Sequence, residues 1–123
     1  MAGGVNSGQT LFLSGWVTHT SSSIILGIIR PNARVRDVVV EVTEAFDGTG
    51  TDLLDVGYSG DADAYTNNVD ISSTGIKTVT LEAGVGWDGV AREVTATYTD
   101  ANSDATQGKC LVIVFFEIVP LEP

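Results

Sequence analysis

The chain has 123 residues, of which 6 are basic and 16 acidic, giving a formal charge of −10. That balance argues against nucleic acid and anionic membranes, which need clustered Lys and Arg, and leaves a solvated, self-repelling surface or one that meets something basic. The length suits one domain with one core, and 38 Val, Ile and Thr with 14 Gly favour an all-β fold, because β-branched side chains fit a pleated surface and Gly marks turns.

Residues 1–9 are small, polar and Gly-rich, the composition of a flexible N-terminal arm. A single β-sandwich domain is expected over residues 10–120, followed by a tail at 121–123. TLFLSGWVTHT, Thr10 to Thr20, reads as a strand with Gly15 as a bulge position. After a Ser21–Ser23 turn, SIILGIIR reads as a buried strand, which Arg30-Pro31-Asn32 ends because Pro31 cannot donate to a ladder. Val35 to Phe46 alternates, with Val38, Val40, Val42 and Phe46 on one face and Val39, Glu41 and Thr43 on the other. Asp47-Gly48-Thr49-Gly50 then reads as a hairpin turn leading into a short strand, Leu53 to Tyr58. Gly60 to Asn68 reads as an acidic connection with a helical turn at Ala62 to Tyr65.

Ile76 to Glu82 alternates again, with Val79 and Leu81 inward. A loop of Gly84, Gly86, Asp88 and Gly89 carries Trp87. In AREVTATYTD, Val94, Ala96 and Tyr98 oppose the Thr-rich face. DANSDATQG is a loop, and Cys110 to Val119 is a near-continuous apolar run, expected to be a central strand covered on both faces. The spacing predicts an antiparallel β-sandwich, a jelly roll of about eight strands.

One His and one Cys leave little material for catalysis. His19 reads as a surface or interface histidine, no G-x-S-x-G elbow occurs, and the carboxylates offer no spatial pair, so no enzymatic activity and no cofactor are expected. Cys110 reads as a small buried hydrophobe. Gly48 to Leu54 matches part of the G-G-x-G-x-D-x-U calcium repeat, with Asp47, Asp55, Asp61 and Asp63 nearby. Such repeats work by stacking several copies, and a hairpin turn is the better reading. The N-terminus lacks the basic and apolar regions of a signal peptide, and no apolar run approaches the ~20 residues of a membrane span, so folding in a cytoplasm is expected. Val5, Leu11, Phe12, Trp16 and Trp87 are the candidate protein-interface residues, and Tyr58, Tyr65 and Trp87 form an alternative aromatic platform for a sugar.

The string VVVEVTEAFDGTGTDLLDVGYSGDADAY, Val38 to Tyr65, resembles a module in small structural proteins of tailed bacteriophages. Its shared features are a V-x-V-x-V strand ending in EAF, a DG turn, an L-x-V-G strand and a D-x-D-A-Y connection, continued by Ile71 to Gly75. The resemblance implies a capsid decoration, or cement, protein with a β-sandwich or jelly-roll fold. Such a protein would be made in the bacterial host cytoplasm, sit on the capsid exterior as a dimer or trimer, and bridge major capsid subunits. The alternative is a host-recognition or carbohydrate-binding module of a fibre or tail. The resemblance implies no catalytic or metal residues.

Overall fold

The computed structural model describes residues 10–82 and 89–118, and every regular element among them is a strand. These are β1 (Thr10–Thr18), β2 (Ser23–Ile29), β3 (Ala33–Glu44), β4 (Asp52–Tyr58), β5 (Asp61–Asp70), β6 (Gly75–Lys77), β7 (Arg92–Asp100) and β8 (Lys109–Ile118). One four-stranded sheet has the order β1-β8-β3-β6 and the other β2-β7-β4-β5, all neighbours antiparallel. The chain is thus a ribbon of nested pairs, β1 with β8, β2 with β7, β3 with β6 and β4 with β5, rolled so that β8 also meets β3 and β7 also meets β4. That is the jelly-roll arrangement. The expected arm (1–9) and tail (121–123) lie outside the described residues, as do Val5 and Trp87.

The core forms where the inward faces meet. Val17, Val38, Val40, Val42, Cys110, Val112 and Val114 face Leu54, Val56, Val94, Ala96 and Tyr98, all buried. A fully buried Val or Leu contributes about 1.5–3 kcal/mol of transfer free energy. β3 places both Val35 and Val38 inside because a bulge between Val35 and Asp37 resets its alternation, leaving Arg36 outward. Burial pushes the Cys110 thiol up to about 12, so it behaves as an apolar group.

Several expectations are corrected. Gly15 carries no bulge, since β1 pairs with β8 in unbroken register; the irregularity lies on β2, between Ile25 and Gly27. A Cβ on Gly15 would meet Leu26 Cδ2 at 2.6 Å and one on Gly27 would meet Leu13 Cδ2 at 2.8 Å, so each glycine receives a leucine from the facing strand. β2 is an edge strand rather than a buried one, with Ile25 and Ile28 62% and 67% exposed.

The Val35–Tyr58 segment is not a hairpin, because β3 and β4 belong to different sheets. Phe46 plunges into the core between them, and the following residues are tied to the β7–β8 loop through Asp47 and Thr49. The real hairpin is β4–β5, with Tyr58 opposite Asp61 across Ser59-Gly60. The acidic connection with its helical turn is therefore strand β5, and the apolar run at β8 is central but covered on one face only.

Candidate interaction face

β8 lies between β1 and β3, so its outward side chains form the middle of a flat apolar field. Register builds that field in rows. Phe12 stands beside Phe115, their ring centroids 6.2 Å apart and tilted by 52°. Ser14, Ile113 and Val39 form the next row, and Trp16, Leu111, Glu41 and Ile76 the third. Phe12, Trp16 and Ile76 are 62%, 50% and 72% exposed, and Val39, Leu111, Ile113 and Phe115 are half-buried only by one another and their neighbours. A contiguous outward aromatic and aliphatic patch on a sheet whose other face already makes the core has the character of a protein contact.

The rim is charged but balanced. Arg34 donates to Glu117 Oε1 at 2.6 Å, with Arg36 3.6 Å away, and the Arg34 contact holds the Glu117 carboxyl below its ordinary range. Strands of this sheet carry Arg34, Arg36, Lys77 and Lys109 against Asp37, Glu41, Glu44 and Glu117. Strands of the other sheet carry Arg92 alone against Asp52, Asp55, Asp61, Asp63, Asp70, Glu93 and Asp100. Around its outward residues Asp55, Thr95, Thr97 and Thr99 that sheet is mainly polar, with Leu53 beside Thr99 and Ile25 and Ile28 at its edge as the apolar residues. The two outer faces are therefore chemically distinct.

Of the residues singled out from sequence, Phe12 and Trp16 lie on the apolar face. Leu11 is half-buried and packs against the core, since neighbours on a strand point to opposite sides. Leu111, Ile113, Phe115, Val39 and Ile76 were not anticipated as part of a site. The signal for them was the unbroken apolarity of the last strand, which one covered face does not use up.

The proposed aromatic platform has a different setting. Tyr65 is buried, its ring 5.8 Å from that of Tyr58, and the Arg92 guanidinium lies 4.2 Å from the Tyr58 ring centre. Tyr58, Asp61, Glu93 and Ile25 border an open depression of about 570 Å³. His19 lines a second shallow groove, of about 420 Å³, with Tyr98 and Asp100. The aspartate of the part-matched calcium repeat, Asp52, is buried and accepts from the Tyr98 hydroxyl at 2.6 Å. Burial and that neighbouring carboxylate push the Tyr98 hydroxyl pKa upward. Asp61, by contrast, is raised through its contact with Asp63.

Three further carboxylates tie loops. Asp47 accepts from Thr106 N at 2.7 Å, Thr106 Oγ1 at 2.6 Å and Gln107 N at 3.1 Å. Asp104 accepts from Thr49 N and Oγ1, and Asp70 from Ser72 N and Oγ. Each of these three is held below its ordinary value, first by the side-chain hydroxyl and then by the backbone N–H. A lowered folded pKa gives stability that is complete above the unfolded value of about 4 and lost as pH falls through the folded one. Thermal unfolding followed by circular dichroism should therefore give a melting temperature that drops below about pH 4. The drop should be shallower in the Asp47→Asn/Asp104→Asn double variant, with Asp61 working in the opposite sense. Equal slopes in the two proteins would show that these carboxylates do not carry the acid response.

No protein-family model matches the chain, and no curated protein is similar to it in sequence. Its fold is similar to that of solved phage structures. One is a chain of the cyanophage Pam1 capsid asymmetric unit, at a TM-score of 0.69 and 20% identity, covering 93% of this chain and 87% of that one. A second is a chain of the acidic stable capsid structure of Helicobacter pylori bacteriophage KHP30, at 0.69 and 16%, covering 95% and 96%. A third is in the capsid of Ralstonia phage GP4, at 0.65 and 16%, covering 94% and 88%. At these identities the likeness is one of fold, and it extends over nearly the whole of each chain.

Proposed function

We propose that this chain is a phage virion structural protein of the capsid-decoration, or cement, type. It binds the exterior of the head and stabilises the shell by bridging major capsid subunits, with no covalent chemistry and no cofactor. Its partners are the major capsid protein and copies of itself, as a dimer or trimer. The observation that carries this reading is the uncovered apolar face of the β1-β8-β3-β6 sheet, on a fold similar to chains within three phage capsids. Burial of apolar area at roughly 25 cal/mol per Å² gives each contact a modest stabilisation, and a symmetric shell repeats it many times. The charge of −10 keeps the chain off the packaged nucleic acid. The glycan-binding alternative has less support, because Tyr65 is buried.

Virions of the phage encoding this chain provide the test. Stripping the protein from purified heads should lower the temperature at which they rupture, and adding it back should restore that temperature. Heads that contain no copies, or whose rupture temperature is indifferent to re-addition, would remove the assignment.

A further inference from the structure

We propose that the outer face of the β1-β8-β3-β6 sheet is a self-association surface, covered by the same face of a second copy of this chain. The proposal deepens the virion reading and rests on it for its biological setting.

Charge is the first argument. Two molecules of charge −10 repel, and they can approach closely only through a surface with no net charge. The strands of this sheet come nearest to it: they carry four basic and four acidic residues, with Lys77 opposite the core-facing Val40, whereas those of the other sheet set seven acidic residues, the buried Asp52 among them, against one basic. A basic partner would be drawn to the acidic sheet, which leaves the neutral one for a like molecule. The rim charges are also compensated within each copy: Arg34 and Arg36 sit with Glu117 at one end, and Glu44 lies opposite Lys109 at the other. Of the acidic residues on this face, Asp37 and Glu41 are left outside these pairs.

Composition and size give the second argument. Like-to-like interfaces are the more apolar class, with aromatic residues enriched at their centres. Phe12, Trp16 and Phe115 flank the aliphatic centre at Val39, Leu111 and Ile113. Three strands at about 4.8 Å spacing, each about nine residues long at ~3.3 Å rise, give a planar footprint of roughly 400 Å². Set against the ~800 Å² per partner of a standard interface, that is a small contact, of the kind expected to associate at micromolar concentration and above. Stacking a sheet face on itself is a two-fold contact, which closes after two copies and leaves the acidic sheets outward.

The test uses the purified full chain in sedimentation velocity from micromolar concentration upward. The wild type should shift from monomer to dimer. Ile113→Glu, and separately Trp16→Glu, should weaken dimerisation by about a hundredfold or more, because each copy brings an unpaired carboxylate into a desolvated contact. Both positions face outward, and circular dichroism establishes that the variants fold; Ile76→Glu, at a 72% exposed position, is a further variant with the same expectation. Ile25→Glu, on the other sheet, should leave dimerisation unchanged. A wild type that stays monomeric, or folded variants that dimerise as well as it does, would overturn the proposal. If the chain is monomeric yet Ile113→Glu abolishes attachment to heads, the face belongs to a capsid subunit: this proposal fails and the virion reading stands. If the chain dimerises through this face but is absent from heads, the virion reading fails and the self-association surface stands.

Discussion

Phe46→Ala should remove about 3–5 kcal/mol of folding stability, the usual loss for deleting a buried aromatic ring. Phe46 sits in no strand, yet it is 2% exposed and closes one end of the sandwich. Its ring lies 4.7 Å from that of Tyr98, tilted by 57°, so it packs on β7. It also lies directly over Gly108, where an added Cβ would collide with the ring, and its N–H donates to the Ile71 carbonyl at 3.3 Å. The ring therefore joins the β3–β4 connection to β7 and the start of β8, while the backbone of the same residue holds the β5–β6 connection. Its removal leaves a cavity beneath the loops that Asp47 and Asp104 tie, and small domains have only about 5–15 kcal/mol to lose. Urea unfolding monitored by circular dichroism measures the effect, and a loss below about 1 kcal/mol would contradict the packing described.

Gly57→Ala is the second large effect, expected at the upper end of the ~1–3 kcal/mol seen for overpacking. Gly57 is buried in β4, and the tip of the β4–β5 hairpin folds back over it. A Cβ there would clash with the Asp61 carbonyl oxygen and meet the Ala62 carbonyl carbon and oxygen at 2.6 Å. These are backbone atoms, so relief requires the hairpin tip to lift. Gly60, three residues on, makes an informative comparison. It has φ of +102° and nothing near its missing Cβ, so Gly60→Ala meets a backbone penalty of about 1–2 kcal/mol and no collision. Chemical denaturation of the two variants should rank Gly57→Ala as the more damaging. The reverse order would mean that conformational strain outweighs crowding at this hairpin.

The parts of this fold that were legible in the sequence are those where period-2 alternation runs unbroken. β3 after its bulge and β7 both show it, and Val38, Val40, Val42, Val94, Ala96 and Tyr98 are buried as that pattern requires. β5 was hidden because its ladder with β4 shifts register twice, and Asn68 adopts a positive φ of 57°. Its inward residues Tyr65, Thr66 and Val69 consequently fall at no fixed period. The false hairpin between β3 and β4 shows a different limit. A Gly/Asp/Thr turn specifies a change of direction, and whether the next strand pairs alongside or crosses to the facing sheet depends on distant loops, here those holding Asp47 and Thr49. The interaction face was half legible: Phe12 and Trp16 stood out as aromatics in an alternating strand. Ile113 and Leu111 were concealed by the assumption that an apolar strand is covered on both sides.

The nested pairing of the strands also governs when this protein can exist at all. β8 supplies the middle of one sheet, holding β1 on one side and β3 on the other, yet it lies at the far end of the sequence from β1. A growing chain that has completed seven strands therefore has a sheet with a missing centre, and its valines stay wet until the last strand arrives. Contacts of such long sequence separation fold slowly, in milliseconds to seconds. The outer face takes its central column, Leu111, Ile113 and Phe115, from that same strand, so its rows are complete only once the core is closed. Half-made chains instead expose those valines and the unpaired edges of β1 and β3, so the last strand closes the core and completes the outer face in one step.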